Sequence, residues 1–427
     1  MRNKEKMKII LKKSEFPSRL LFFWLMEMFF MTVARYILST AGIETGALRN
    51  IVLVLVASMP LILFFFHIKD FKVEQYLSCL ILYLLIFWAF IFTFILHPEY
   101  EYFFMRSGYG IERVLRPDCA IYAYLFFSLI NDPDKIYETI KKYAIIDFTY
   151  LVVVQLLPAM IRGYWVDVDY LGRQVVREYS LSLGYSILLP TIIFLYMFIQ
   201  QKNIIYLFLS FIGMGIIFLY ASRGALLMIV IFVGLMAISA IVESKKISYK
   251  ILKILGILLL IIIICIWGQT LLTWAVQLLQ SMGIESRSLD LLVQGEFTND
   301  SGRNTIWNAV INGIREGGLL GYGVFGDRPF VYPIHYVAYS HNIFLELIAS
   351  FGILGVGIIL FLCINSFRMI FFCKDRRWRE LFIIFFSVSC QLIISMSFWY
   401  VMEFWAAIAI AHRYFKIERK AIWKTKK

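Results

Sequence analysis

The sequence predicts an all-α, polytopic transmembrane helical bundle with about 12 spans, or about 10–11 if two short, polar-edged stretches do not cross the membrane. Hydrophobic residues make up 61% of the 427 residues, and the mean hydropathy is +0.76. Apolar stretches long enough to cross roughly 30 Å of hydrocarbon recur along the chain. Between these apolar stretches, basic links alternate with loops that contain no lysine. This alternation is a second indication of the topology, independent of hydropathy.

The first apolar run has two interpretations. The small residues Ser39, Thr40 and Ala41 could form the cleavage site of a signal peptide. Glu27 and Arg35 lie inside the same run, and charged residues are unusual in the apolar core of a signal peptide. The run is therefore predicted to be an uncleaved first span.

The basic residues divide between the two sides of the predicted bundle. With both termini inside, every lysine falls on the cytoplasmic side, whereas the basic residues of the outer loops and spans are all arginines. The positive-inside rule treats the two residue types alike, so it does not account for the missing lysines. A permanently charged, fork-shaped guanidinium suits diphosphate recognition. The outer arginines are therefore the first candidates for function.

The overall charge and the cysteines exclude several classes of protein. The formal net charge is +13, but the lysines cluster at 4–13, 245–253 and 416–427, beside predicted spans. This placement indicates contact with anionic lipid headgroups and no nucleic acid partner. The six cysteines form no CxxC pair, so neither a disulfide framework nor a zinc site is predicted.

The chain is predicted to form a single integral membrane domain, 1–427, with one large extracytoplasmic loop, 273–340. Asp300 or Ser301 could cap a helix in this loop, and Arg303 would lie in its first turn. Helical spacing relates the apolar residues that follow, which are Ile306, Trp307, Val310, Ile311 and Ile314. The loop is therefore expected to carry an amphipathic helix that lies over the site.

Arginines mark three other outer segments. Arg106 lies in the loop 97–116, and Arg173 and Arg177 lie in the loop 162–182. Arg223 occupies a tight turn between Ser222 and Gly224, where a small polar residue would suffice. An arginine at this position either extends to the lipid headgroups or binds a phosphate between two rigid spans.

A polar group opens the tenth predicted span. His341 and Asn342 precede the apolar residues, and Glu346 follows one turn later on the same face as Asn342. A histidine at a helix entrance is either a cap or interfacial contact or a catalytic group. The carboxyl group inside an apolar span favours function, because ionisable residues there are costly.

Several of these segments together resemble the signature region of the bacterial O-antigen ligase/polymerase family, which includes Wzy-type polysaccharide polymerases. The resemblance covers roughly residues 220–365. It rests on Ser222–Gly224, Ser301–Arg303, Trp307, the pair Gly321 and Gly323, Ser340–Asn342 and the turn Phe351–Gly355.

The resemblance implies glycosyl transfer on the outer face of the bacterial cytoplasmic membrane, with undecaprenyl-diphosphate-linked glycans as donor and acceptor. Arg223 and Arg303 would hold the donor diphosphate, and His341 would orient or deprotonate the acceptor hydroxyl. Asn342 and Glu346 would support or bind substrate. The remaining candidates for substrate binding are Arg106, Arg173 and Arg177.

No cofactor and no metal are expected. Asp167–Asp169 forms a DxD pattern, but the same pattern at Asp132–Asp134 on the inner side indicates how easily it arises by chance. Arginines already supply the positive charge that a metal would provide. Membrane lipids, a flippase and a chain-length regulator are the other partners that the resemblance implies.

Three functions remain open at this stage. A polymerase would join lipid-linked repeat units, and it is preferred because polymerases are the more diverse members of the family. A ligase would transfer a finished glycan to a terminal acceptor. A transporter or flippase for lipid-linked oligosaccharides is the non-enzymatic alternative, although transport does not need a large arginine-bearing outer loop.

Overall fold

The computed structural model describes residues 15–168, 174–177, 180–220, 223–244, 246–281, 302–317, 319–335 and 339–425, and within them the fold is the predicted helical membrane bundle. Its first helices are α1 (Phe16–Leu25), α2 (Glu27–Thr40), α3 (Ala47–Phe66), α4 (Val73–Leu96), α5 (Glu101–Met105), α6 (Ile111–Leu115), α7 (Ala123–Ser128), α8 (Pro133–Tyr150) and α9 (Leu157–Arg162). Those that follow are α10 (Leu181–Gln201), α11 (Ile204–Tyr220), α12 (Arg223–Glu243), α13 (Ile247–Ser281), α14 (Arg303–Glu316), α15 (Arg328–Val331), α16 (Ile343–Phe367), α17 (Arg376–Ser389) and α18 (Met402–Thr425).

Two strands interrupt the helical pattern, in a segment that the sequence predicted only as a loop. Strands β1 (Trp165–Val168) and β2 (Gln174–Arg177) pair antiparallel, with Trp165 opposite Arg177. The alternation is only four residues long in each strand, which is too short to be distinguished from loop sequence by periodicity.

Six helices in the described residues are long and apolar enough to cross a membrane, or seven if the bent pair α1 and α2 counts as one span. The count of about twelve spans therefore remains a prediction. The stretch 117–131, one of the two short, polar-edged stretches and predicted as the fourth span, contains a 3-10 turn, Ala120–Tyr122, and the short helix α7, and residues 123–130 are buried against protein. A short apolar run can signal a buried core segment as well as a span, which explains the ambiguity.

Contacts between helix ends define two ends of the bundle. At the lysine end, which comprises residues 69–74, 133–135, 243–244, 246–250, 374–377 and 414–420, Lys420 pairs with Glu74, Arg377 with Asp134 and Arg376 with Glu243. The loop end comprises residues 93–116, 303–317, 319–335, 339–342 and 390–400, whose mutual hydrogen bonds are described below. The predicted inner and outer segments thus separate in space, while the assignment of each end to a side of the membrane remains a prediction.

Helix α16 is broken at Gly352, and the loop before it repairs the break. Gly352 has φ 54° and ψ −126°, a conformation that interrupts the helical hydrogen bonds. The Ile353 amide donates to the Leu319 carbonyl at 2.8 Å, and the amides of Tyr322 and Gly323 donate to the Ala349 and Ser350 carbonyls, also at 2.8 Å. The segment 319–323 therefore replaces the bonds that the helix loses.

Glycine is required where these two segments meet. Gly321 and Gly323 have φ 73° and 80°, in the left-handed region that glycine favours. A Cβ at Gly321 would lie 2.5 Å from the Gly352 nitrogen, and one at Gly352 would overlap the Leu319 carbonyl oxygen. The glycine-rich stretch after α14 thus serves close backbone packing.

We expect Gly352→Ala to lower the unfolding temperature by about 3 °C or more, because alanine is strained at this φ and its Cβ has no space. Gly357→Ala is the matched control in the same helix, since a Cβ there meets nothing within 4 Å. Thermal unfolding in detergent measures both variants. Equal melting temperatures for the two would contradict the role assigned to Gly352.

Candidate active site

Helix α14 lies against the start of α16, which confirms the predicted loop helix and brings Arg303 towards His341. Its apolar face supplies Ile306 and Val310 to a small buried cluster with Val331 and Ala349. The Trp307 indole nitrogen donates to the Ser340 carbonyl at 3.0 Å. Gly302, with φ 83°, precedes the helix, while the predicted caps Asp300 and Ser301 lie outside the described residues.

His341 is held in an unusual environment immediately before the span. Its backbone has φ 53°, and its ring centroid lies 4.4 Å from that of Tyr339 and 5.8 Å from that of His335. The Nδ1 atom is buried without a hydrogen-bond partner. Burial, together with the charges of the neighbouring His335 and Arg303, lowers the pKa of His341 to about 3. The imidazole is therefore neutral at physiological pH.

Asn342 organises the entrance of α16. Its Oδ1 atom accepts hydrogen bonds from the amides of Phe344 and Leu345 at 3.0 and 3.2 Å, which is an N-cap. Its Nδ2 atom donates to the Ile393 carbonyl at 3.2 Å. Both ends of the side-chain amide are thus engaged, so Asn342 fixes the position of the neighbouring His341.

Glu346 is buried and points away from His341, towards the segment before α18. Its carboxylate accepts hydrogen bonds from the Ser397 hydroxyl at 2.5 Å and the Phe398 amide at 3.4 Å. These bonds tie the start of α16 to the segment before α18. Whether Glu346 supports the site or binds substrate remains a prediction.

Asp327 and Arg328 form a buried pair beneath the site, and sequence reasoning did not single out either residue. The Asp327 carboxylate accepts a hydrogen bond from the Ser340 amide at 2.7 Å, next to His341. Burial raises the pKa of Asp327, and the positive charge of Arg328 opposes that rise. Asp327 thus restrains the backbone that presents the histidine.

Arg328 joins three distant parts of the chain. Its guanidinium donates to the Tyr109 carbonyl at 2.5 Å and to the Tyr400 hydroxyl at 2.6 Å, and its Cζ atom lies 3.3 Å from the centroid of the Phe325 ring. The residue is only 1% exposed. An acidic and a basic residue side by side are common in surface loops, so nothing in the local sequence signals this burial.

Arg106 belongs to the same cluster of side chains. Its guanidinium lies 4.9 Å from the ring centroid of Tyr109, and its Nη1 atom is buried without a hydrogen-bond partner. The rings of Tyr400 and Tyr339 are 6.2 Å apart, and Tyr339 contacts His341. The Tyr400 hydroxyl donates to the Tyr109 carbonyl at 2.5 Å, so contacts through Tyr109, Tyr400 and Tyr339 link Arg106 to His341.

Arg223 is described only by its backbone, as the first residue of α12. The other end of α12 lies at the lysine end, where Ser239 accepts a hydrogen bond from Arg379 and Glu243 pairs with Arg376. Helix α12 runs antiparallel to α17, so Arg223 lies towards the end of α17 at which residues 390–393 begin. This is the loop end, where Asn342 binds Ile393.

Two predicted substrate-binding residues, Arg173 and Arg177, belong to the segment 162–182. Arg173 lies outside the described residues, and Arg177 is described only as the last residue of β2. Asp169 of the DxD pattern is also outside them. Their roles, like the absence of a metal, remain predictions.

The arrangement offers specific chemistry. A neutral imidazole with an unpaired nitrogen can accept a hydrogen bond from a hydroxyl group, and the nearby guanidinium can neutralise an oxyanion or a phosphate. Polar groups in a partly buried site interact more strongly than in water. The site is therefore suited to placing an alcohol beside an anionic leaving group.

Comparison with known proteins gives one match. Residues 205–362 match the family model Wzy_C, described as O-Antigen ligase. This range includes Arg223, Arg303, His341, Asn342 and Glu346. No curated protein and no solved structure matches.

We expect Arg328→Met to destabilise the protein by about 3 kcal/mol, because it removes the guanidinium that donates to the Tyr109 carbonyl and the Tyr400 hydroxyl and whose charge opposes the raised pKa of the buried Asp327. Arg315→Met is the control, since Arg315 is exposed at the end of α14. Thermal unfolding of both variants tests this difference. Similar melting temperatures for the two would argue against a structural role of the Arg328 pair.

Proposed function

From the match of residues 205–362 to the O-Antigen ligase family model, we propose that the chain is a polysaccharide polymerase. The enzyme joins oligosaccharide repeat units carried on undecaprenyl diphosphate, in the biosynthesis of O-antigen, capsule or exopolysaccharide. The observation that carries this proposal is the buried, neutral His341 with its unpaired nitrogen close to Arg303.

The proposed reaction forms one glycosidic bond and breaks one bond to phosphate. The acceptor hydroxyl oxygen attacks the anomeric carbon of the donor sugar, and the carbon–oxygen bond to the diphosphate breaks. The electron pair of that bond stays on the leaving diphosphate, which takes up the hydroxyl proton. Arg303 and Arg223 bind the diphosphate and stabilise the charge that develops on it.

His341 is proposed to position the acceptor hydroxyl through a hydrogen bond to its ring nitrogen. The low pKa makes the imidazolium form unfavourable, so the ring is a poor final holder of the proton. Transfer of the hydroxyl proton to the departing diphosphate avoids formation of the imidazolium. Metal-independent catalysis is consistent with this scheme, because guanidinium groups supply the positive charge.

The other candidates are assigned by their places in the structure. Arg106 is proposed to bind substrate, because its unpaired Nη1 atom lies in the same cluster as His341. Arg173 and Arg177 are proposed to attract the anionic substrate through their charge alone. Asn342 and Glu346 hold the backbone around His341. A flippase that supplies the donor and a chain-length regulator are the proposed protein partners.

The loop end is proposed to face outward from a bacterial cytoplasmic membrane, with both termini in the cytoplasm. Lysines concentrate at the opposite end, as the positive-inside rule requires. In a cysteine-free variant, we expect Leu320→Cys to react with an impermeant maleimide added to intact cells, and Lys374→Cys to remain unlabelled. Both positions are exposed, so access alone does not distinguish them. Labelling of Lys374→Cys without labelling of Leu320→Cys would show that the lysine end faces outward.

Purified protein incubated with one lipid-diphosphate-linked repeat unit tests the proposed activity. A ladder of products with increasing numbers of units identifies a polymerase. The description of the matched family as O-Antigen ligase supports ligation as the second candidate. Addition of a glycan once, and only to a different terminal acceptor, would identify a ligase. Movement of the lipid-linked unit across the bilayer without any new bond would identify a transporter.

We expect Arg303→Lys and Arg223→Lys to lose about tenfold or more of the activity, close to the loss in the alanine variants. An ammonium group cannot reproduce the two parallel hydrogen bonds that a guanidinium makes to phosphate. Arg315→Lys is the control on the same helix as Arg303 and should keep normal activity. Wild-type rates in both site variants, at equal expression, would refute diphosphate binding by these arginines.

We expect His341→Gln to keep most of the activity and the wild-type rate to stay constant between about pH 5.5 and 8.5. The pKa near 3 keeps the ring neutral over this whole range, and glutamine can still accept a hydrogen bond. A general base would instead contribute about 10²–10⁴-fold and give a rate that rises through the imidazole range. Such a rise, lost in His341→Gln, would establish base catalysis.

A further inference from the structure

A long cavity separates α16 from α17 and α18. Its volume is about 740 Å³, and it extends from Ile343 near the loop end to Ile422 at the lysine end. The α16 residues that line it belong to the first turns, from Ile343 to Leu347, and to the last turns, from Ile359 to Phe367. It is distinct from the candidate active site, which lies beyond its upper end.

Helix α16 is attached to the bundle at both ends of this space. The first turns of α16 are tied to the bundle by Asn342 and Glu346, which bind Ile393 and Ser397. At the opposite end the chain continues as a π-helical segment, Arg368–Phe372, in which Met369 and Ile370 are buried. Between these two attachments a gap remains between α16 and its neighbours.

The walls of the cavity are suited to hydrocarbon. Leu362, Phe386 and Ile408 line it, and Ala407 and Ala411, one turn apart on α18, leave room at its floor. The polar groups of the wall are largely paired with each other, since the Tyr124 hydroxyl and His412 Nδ1 lie 2.8 Å apart. Alkyl chains would bury apolar surface here without leaving polar groups unsatisfied.

The two ends of the cavity differ in charge. Arg368 and Arg419 stand at the lysine end, with Glu418 as the acidic neighbour, and the Glu418 carboxylate accepts a hydrogen bond from the Tyr414 hydroxyl. The Arg368 guanidinium lies 4.3 Å from the Phe415 ring centroid, which holds it beside the opening. At the loop end the lining residues Ile343, Phe344 and Ile393 are apolar.

From this charge pattern we propose that the cavity binds an anionic phospholipid, with its phosphate on Arg368 and Arg419 and its acyl chains extending towards Ile343. The proposal does not depend on the reaction assigned to the site. A polyprenyl diphosphate held at His341 would instead place its anionic group at the apolar end and leave the two arginines without a phosphate. The bound lipid fills the gap beside α16 and so supports the helix that carries His341 at its start.

Native mass spectrometry of the full chain with added phosphatidylglycerol or phosphatidylcholine tests this site. We expect the wild-type protein to retain phosphatidylglycerol preferentially, and Arg368→Gln/Arg419→Gln to reduce that preference about tenfold or more. Lys374→Gln is the control, because Lys374 is exposed at the same end but does not line the cavity. Equal retention of both lipids by the wild type, or an equal loss in the control, would overturn the proposal.

The native Cys363 gives a second measurement, because it is exposed and lines the cavity. In a variant in which the other cysteines are replaced, phosphatidylglycerol should slow the reaction of Cys363 with an apolar maleimide, and phosphatidylcholine should do so less. In Arg368→Gln/Arg419→Gln, the two lipids should slow the reaction of Cys363 equally. The melting temperature of this variant should equal that of the protein with both arginines. Protection only by a polyprenyl phosphate would identify a carrier-lipid site and refute the phospholipid.

Discussion

Exchange of backbone hydrogen bonds between the loop segment 319–323 and the break at Gly352 is the constraint on which the loop end depends. A break in a membrane helix leaves carbonyl and amide groups without their helical partners. Transfer of such a group from water to an apolar phase costs roughly several kcal/mol if the group finds no other hydrogen bond. Here the partners come from the glycine-rich segment that follows α14. The same contacts therefore stabilise the irregular helix and position the segment that follows α14, the helix that begins at Arg303.

The sequence predicted those features that rest on local pattern. Helical spacing predicted α14, the order of short motifs predicted the family, and long apolar stretches predicted the all-α membrane bundle; the structure and the family match confirm these three. The short hairpin β1–β2 was missed, because a four-residue alternation carries too little periodicity. The burial of α7 against protein was not predicted either, because a short apolar run is compatible with a span and with a buried core segment.

Long-range partnerships explain what else the sequence did not reveal. Arg328 binds Tyr109 and Tyr400, which are 219 and 72 residues away in the chain. No spacing rule relates such residues, so Arg328 is indistinguishable in sequence from the other loop arginines. The direction of the Glu346 side chain was unpredictable for the same reason, since its partner Ser397 lies 51 residues away. The roles of the arginines and of His341 remain predictions.

The matched region, residues 205–362, does not contain everything that its own side chains need. Three of its polar groups are satisfied from outside it: the Arg328 guanidinium by Tyr109 and Tyr400, the Asn342 amide by Ile393, and the Glu346 carboxylate by Ser397. An excised 205–362 fragment would bury these groups unpaired or expose them to lipid. The family segment is therefore a part of a larger folding unit and not a transferable module. Chimaeras between relatives should keep the segments around 106–109 and 393–400 together with the loop that they support.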